Sequence, residues 1–380
     1  MSDLLRTRPA STAEMAEIFS DAATIGQALA FEAALARAEA SEGLIAATAA
    51  DAIGRAAASF TIDPAILAEE AAHAGTLAIP LVRRLRAMLP EAAAALHFGA
   101  TSQDVADTVL ARQMVAGGRI LDRDARQLCR ALADCATRHA ATPAVGRTLL
   151  QDAAPIGLGL RLAQAAAGID EARRRLAREI ADAALVQFGG AAGTRAGLGG
   201  KGSAIVAHLA RDLELGVGEP WHARRTGMAA VATALAILIG AAGKFARDVA
   251  LLAQGAIGEA REPMIEGRGG SSAMPHKRNP TGCQVALSAA IRAPGLAAAV
   301  LGGLPQEEER GLGGWQAEAP VLAELFGLAA ASLAAMTVVA EGLDIDMDAV
   351  TRNLAAAGLG KDIGESAAIV AALVERIGRG

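Results

Sequence analysis

The sequence is poor in aromatic residues, with no tyrosine, two tryptophans and seven phenylalanines among 380 residues, although 53% of the chain is hydrophobic. Its apolar mass is therefore aliphatic, largely alanine and leucine, which favour closely packed helices. A strand-like alternation of apolar and polar residues is absent over any useful length. These absences predict an all-α fold.

Other features are missing as well. A net charge of −5 gives no overall basic field and argues against a nucleic-acid partner. The three cysteines have no C-x-x-C spacing, so we expect reduced core thiols in a cytoplasmic protein. The six histidines lack metal-binding spacing, and no metal or other cofactor is predicted. The N-terminus has no apolar signal segment, and the uncharged run 226–243 is predicted as a buried bundle helix, not a membrane span.

Long helical patterns dominate what is present. They cover 104–141, 155–187, 203–213, 226–260, 280–302 and 318–341, and several exceed the mean helix length of about 11 to 12 residues two- or three-fold. Long alanine-rich helices are typical of bundles. We predict an N-terminal helical domain over 1–97, a central long-helix bundle over 98–341 and a short C-terminal helical domain over 342–380.

The stretch GGSSAMPHKRNP, residues 269–280, concentrates polar chemistry in one glycine-containing loop. Asn279 is a predicted N-cap and Pro280 a predicted first helical residue, so free N–H groups and the Lys277 charge would invite a carboxylate or phosphate. The glycines would let the loop close and carry Ser271 or Ser272 onto a reacting atom. The alternative is a flexible, solvated basic loop.

A second polar stretch, GATSQDVADT, begins at Gly99. Thr101 or Ser102 is predicted to cap a helix with Asp104 in its first turn. The hydroxyls and the helix N–H groups could hold an anion there. The alternative is a capping box with no role beyond the helix end.

Together these loops resemble the fumarase/aspartase superfamily, whose GSSxMPxKxNP signature is met in full by residues 270–280. The resemblance implies an all-helical, three-domain subunit that forms a homotetramer, with each active site built from three chains. It also implies addition or elimination next to a carboxylate of a small polycarboxylate substrate. It assigns the acid–base role to Ser271, with Ser272 as the close rival, and anion binding to Thr101, Ser102, Lys277 and Asn279.

One departure indicates the branch. Most lyases of the superfamily have a histidine after the threonine of GRTLLQDAAP, where this chain has Leu149, followed by Leu150 and Gln151. The fragments LAIPLV, QFGGAAGT, PWHARR and QEEERGLGGWQAE resemble the branch that lactonises 3-carboxy-cis,cis-muconate in aromatic catabolism. In that reaction one substrate carboxylate attacks a double bond, and such a leaving group needs little help from a histidine.

The resemblance to that branch implies a substrate with three negative charges, carboxylated or bearing a related group such as sulfonate. Lys277, Arg310 and Arg225 are the predicted cations for it. Further candidates for the pocket are Gln151, His222 and His276. Two alternatives stay open, namely a fumarate-releasing lyase of the same fold and a non-catalytic structural relative.

Overall fold

The computed structural model describes residues 4–270, 274 and 277–378. Its helices are α1 (Leu4–Thr7), α2 (Ala13–Ile18), α3 (Asp21–Ser41), α4 (Ala47–Ser59), α5 (Pro64–Ala74), α6 (Ala78–Ala87), α7 (Ser102–Arg138), α8 (Leu158–Ala183), α9 (Gly202–Leu213), α10 (Thr226–Leu252), α11 (Thr281–Gly302), α12 (Gly314–Glu341), α13 (Met347–Ala356) and α14 (Ser366–Gly378). A 3₁₀ turn covers Arg8–Ala10. The all-α prediction is confirmed.

The long helices α7, α8, α10, α11 and α12 pack into one bundle around a core of alanine, leucine and a few larger side chains. Small residues allow close approach: a Cβ on Gly243 of α10 would lie 2.8 Å from the Cβ of Ala290 on α11. The three cysteines are buried, and desolvation raises the pKa of the Cys129 thiol to about 12. They are core residues with no thiolate at neutral pH.

A second hydrophobic core joins α3 to α6 with the start of α7 and with α9. Its members include Phe31 and Leu35 of α3 and Leu209 of α9, all buried. The N-terminal helices therefore pack on a segment that the sequence placed in the central domain. The division at 97/98 and 341/342 stays a proposal.

Short strands are the feature that the sequence did not predict. Strands β1 (Pro143–Thr148) and β2 (Gln151–Gly157) form an antiparallel hairpin between α7 and α8, and β3 (Ala260–Arg261) pairs with β4 (Asp344–Ile345). Each strand is too short to give a clear period-two pattern. The predicted helix 226–260 also ends early, at Leu252, because a turn-rich segment follows.

Within the part of the chain that the structure describes, three helices are long and apolar enough to cross a membrane by length and composition, namely α10, α11 and α12. The most apolar windows of α10 and α12 are 56% and 67% buried inside the chain, whereas that of α11 is only 28% buried. Ile291 of α11 is 76% exposed. One side of α11 therefore presents an apolar surface that the described residues leave exposed.

Candidate active site

Arg310 and the first residues of α7 form a compact candidate anion site. The Arg310 guanidinium donates from Nη1 to Thr101 Oγ1 at 2.7 Å and from Nη2 to Ser102 Oγ at 3.4 Å. Thr101 is extended and caps α7, so the helix N-terminus points at the same place. A guanidinium, two hydroxyls and a helix N-terminus together favour a bound carboxylate.

Asp104 holds this arrangement in place, a role that the sequence did not reveal. Its fully buried carboxylate accepts the backbone N–H of Thr101 at 2.9 Å and those of Gly189 and Gly190 at 2.9 and 3.0 Å. It also contacts His222 Nε2 at 2.8 Å. Asp104 thus connects the start of α7 to the loop that contains Gly189 and Gly190 and to the segment before α10.

His222 lies beside the site but not on its surface. It is 3% exposed, and among the described residues its Nδ1 has no hydrogen-bond partner. A Cβ on Gly189 would lie 2.7 Å from His222 Cε1, so glycine is required for this close packing. His222 therefore supports the wall behind Thr101, and direct substrate contact stays a proposal.

The structure contradicts the prediction that Arg225 binds the substrate, because its guanidinium is already paired. It is 1% exposed and donates to both Asp107 oxygens at 2.8 Å and to Glu318 at 3.0 Å, with Trp221 stacked 4.6 Å away. Burial opposes its charge, but Asp107 and Glu318 outweigh burial and raise the pKa of Arg225. Arg225 links α7, α10 and α12, and it offers no free edge to a substrate.

The signature loop lies at the start of α11. Asn279 donates its backbone N–H to Gly269 O at 2.8 Å and its side-chain amide to Gly270 O at 3.4 Å, and Lys277 is exposed. A cavity of about 810 Å³ lies beside this segment, and Lys277 and Arg268 are among its lining residues. Ser271, Ser272 and His276 lie outside the described residues.

The start of α11 does not bind an anion through free N–H groups in the way the sequence predicts. Helix α11 begins at Thr281, one residue later than predicted, with Pro280 at the N-cap. Two N–H groups in its first turn already have a partner, because the Glu262 carboxylate accepts from Gly282 N–H at 3.0 Å and from Cys283 N–H at 2.7 Å. A substrate carboxylate at this end must therefore rely on side chains of the loop.

The two groups of candidate residues lie at opposite ends of the bundle. Arg225 places the start of α10 beside α7, and α10 then runs 27 residues before the chain reaches β3 and the signature loop. At 1.5 Å per residue this helix is about 40 Å long. Thr101 and Arg310 therefore cannot meet Lys277 and Asn279 of the same chain.

Gln151 lies at the signature-loop end. The β1–β2 hairpin follows the far end of α7, and Arg147 of the hairpin pairs with Glu259, next to β3, at 2.6 Å.

At the hairpin tip Leu149 and Leu150 have φ values of 51° and 64° and are 96% and 77% exposed. Left-handed leucines are strained, and strain of this kind tends to accumulate at functional sites.

Comparisons with known proteins identify relatives of this chain. A family described as lyase matches residues 7–295. The 3-carboxy-cis,cis-muconate cycloisomerases of Bradyrhizobium diazoefficiens and Pseudomonas aeruginosa are 46% and 45% identical to the chain, each over 97% of it and over 82% and 80% of their own lengths. The crystal structure of the 3-carboxy-cis,cis-muconate lactonizing enzyme from Pseudomonas putida has a TM-score of 0.86 at 38% identity, covering 98% of this chain and 87% of that one.

A family match over most of the chain and relatives above 40% identity confirm the resemblance inferred from the signature loop. The chain has the same overall fold as that solved structure. The chain belongs to the lyase family of the fumarase/aspartase superfamily.

Proposed function

We propose that the protein is a cycloisomerase that lactonises 3-carboxy-cis,cis-muconate or a close analogue such as a sulfomuconate. One substrate carboxylate forms a C–O bond to a double-bond carbon, and a proton is added at the carbon next to another carboxylate. The reaction rearranges the substrate's own atoms, so it needs no cofactor. The observation that carries the proposal is the Arg310–Thr101–Ser102 anion site, in a chain similar over 97% of its length to cycloisomerases.

Charge stabilisation explains why the active site needs more than one group of cations and donors. The proton joins a carbon whose negative charge is shared with its carboxylate, so cations and donors next to that carboxylate lower the barrier. Lys277 and Asn279 serve the carboxylate that shares this charge, and Arg310, Thr101 and Ser102 bind another carboxylate, which anchors the substrate. We assign the proton transfer to Ser271 or Ser272 on the resemblance alone, and Gln151 and His276 remain candidate pocket residues.

The active site requires more than one chain. Its two groups of residues lie at opposite ends of a helix about 40 Å long in one subunit, so a second copy must bring Lys277 to Arg310. The exposed apolar side of α11, with Ile291 and Leu301 76% and 45% exposed, favours burial against such a copy. A cytoplasmic homotetramer with shared active sites accounts for both features.

The test is a substrate panel. Purified protein is mixed with 3-carboxy-cis,cis-muconate, and loss of its conjugated ultraviolet absorbance is followed, against fumarate release from argininosuccinate or adenylosuccinate. Absorbance loss that disappears in Arg310→Met and persists in Arg119→Met, an exposed arginine on the bundle surface, supports the proposal. Fumarate release alone indicates a lyase, and no reaction with any substrate indicates a structural relative.

A further inference from the structure

Gln103 connects the anion site to the protein behind it. This residue lies in the first turn of α7 and is fully buried. Its amide Nε2 donates to the backbone oxygen of His222 at 2.9 Å, and its Oε1 accepts from Arg310 Nε at 3.4 Å. One side chain thus bridges the segment before α10 and the loop that carries Arg310.

The bridge restricts how Arg310 can lie. A guanidinium is planar, so a bond at Nε fixes the directions of Nη1 and Nη2. Those two nitrogens donate to Thr101 Oγ1 and Ser102 Oγ. A hydroxyl that accepts from arginine keeps its own hydrogen for another partner. Both hydroxyl hydrogens are then available to a bound anion.

We propose that Gln103 is a positioning residue for substrate binding. It holds the Nε edge of Arg310 so that Thr101 and Ser102 present their hydroxyl hydrogens to a substrate carboxylate. The inference rests on the proposed function of the Arg310 site and adds a residue that does not itself touch the substrate. Because the carboxylate is bound alike in the ground state and the transition state, the effect falls on KM.

The first experiment compares two buried glutamines of the same helix. Gln103→Met keeps the length of the side chain and removes both hydrogen bonds, and we expect KM for 3-carboxy-cis,cis-muconate to rise about tenfold with kcat within about twofold. Gln113→Met is the matched control, since among the described residues Gln113 donates only to Ile18 O and Thr24 Oγ1, both at 3.0 Å. It should leave KM unchanged. An unchanged KM in Gln103→Met overturns the inference.

The second experiment asks whether Gln103 acts through Arg310. Lysine has no Nε–H edge, so Arg310→Lys should itself raise KM, and adding Gln103→Met to it should change KM by less than about twofold. A full tenfold further rise in the double variant overturns the inference, because Gln103 would then act independently. An unchanged KM in both Arg310→Lys and Arg310→Met refutes the proposed anion site itself, and with it this role.

A variant that keeps the polar character of the core guards against misfolding. Gln103→Asn retains an amide but is one methylene too short to reach Arg310 and His222 together. If Gln103→Met is insoluble, Gln103→Asn is expected to raise KM in its place, with thermal unfolding and oligomer size as wild type. A folded Gln103→Asn with wild-type KM contradicts the role.

Discussion

Replacing Asp104 by asparagine tests the organisation of the anion site. The buried carboxylate makes four polar contacts, from Oδ2 to the N–H groups of Thr101 and Gly190 and from Oδ1 to Gly189 N and His222 Nε2. In Asp104→Asn one oxygen becomes an NH₂ group, so two of these donors face another donor. Each lost bond to a charged acceptor is worth roughly 1.5–3 kcal/mol, which gives a loss of about 3–6 kcal/mol.

Thermal unfolding at a fixed protein concentration measures this loss. For a 380-residue chain the unfolding entropy near 60 °C is roughly 0.8 kcal/mol/K, so Tm should fall by about 4–8 °C. Asp63→Asn is the matched control, because Asp63 also caps a helix, accepting Ala65 N–H at 2.9 Å, and asparagine caps equally well. If Asp104→Asn unfolds within about 1 °C of both wild type and the control, Asp104 does not hold the anion site together as described.

Three further predictions concern buried charge and strain. Desolvation and the nearby Glu32 raise the pKa of Glu39 from 4.5 to about 9, so between these values the folded chain keeps a proton that the unfolded chain loses, and stability falls as pH rises. Glu39→Gln should therefore gain about 3 kcal/mol over wild type at pH 7 but less than about 1 kcal/mol at pH 5, measured by Tm against pH. Arg225→Met should lower stability by roughly 3–5 kcal/mol by leaving two buried carboxylates unpaired, whereas the exposed Arg224→Met should not, by the same assay. Leu149→Asn with Leu150→Gly should raise Tm through relief of left-handed strain and lower the rate of lactonisation, and an unchanged rate would exclude a role for the tip.

Helix periodicity and the signature loop carried most of the sequence-based predictions. The long bundle helices were found because their patterns extend over many turns, whereas the six-residue strand Pro143–Thr148 contains too few alternations to be seen. Family membership followed from residues 270–280, where polar side chains stand out against an aliphatic chain.

Pairing of buried charges could not be read from the sequence. Arg225 looked like a substrate cation because nothing local shows that Asp107 and Glu318, 118 and 93 residues away, converge on it. Glu262 likewise binds the start of α11 from 20 residues upstream. Such pairings depend on helix packing, so only the tertiary structure separates Arg310, which has no ion pair among the described residues, from the neutralised Arg225.

The most direct measurement is subunit complementation. Arg310→Met and Lys277→Met chains, each inactive alone, are co-expressed with different tags, and mixed oligomers carrying both tags are purified. If Arg310 of one subunit works with Lys277 of another, random mixing restores roughly a quarter of wild-type muconate turnover, since a site needs both intact residues. Mixed oligomers as inactive as either parent would contradict the shared active site.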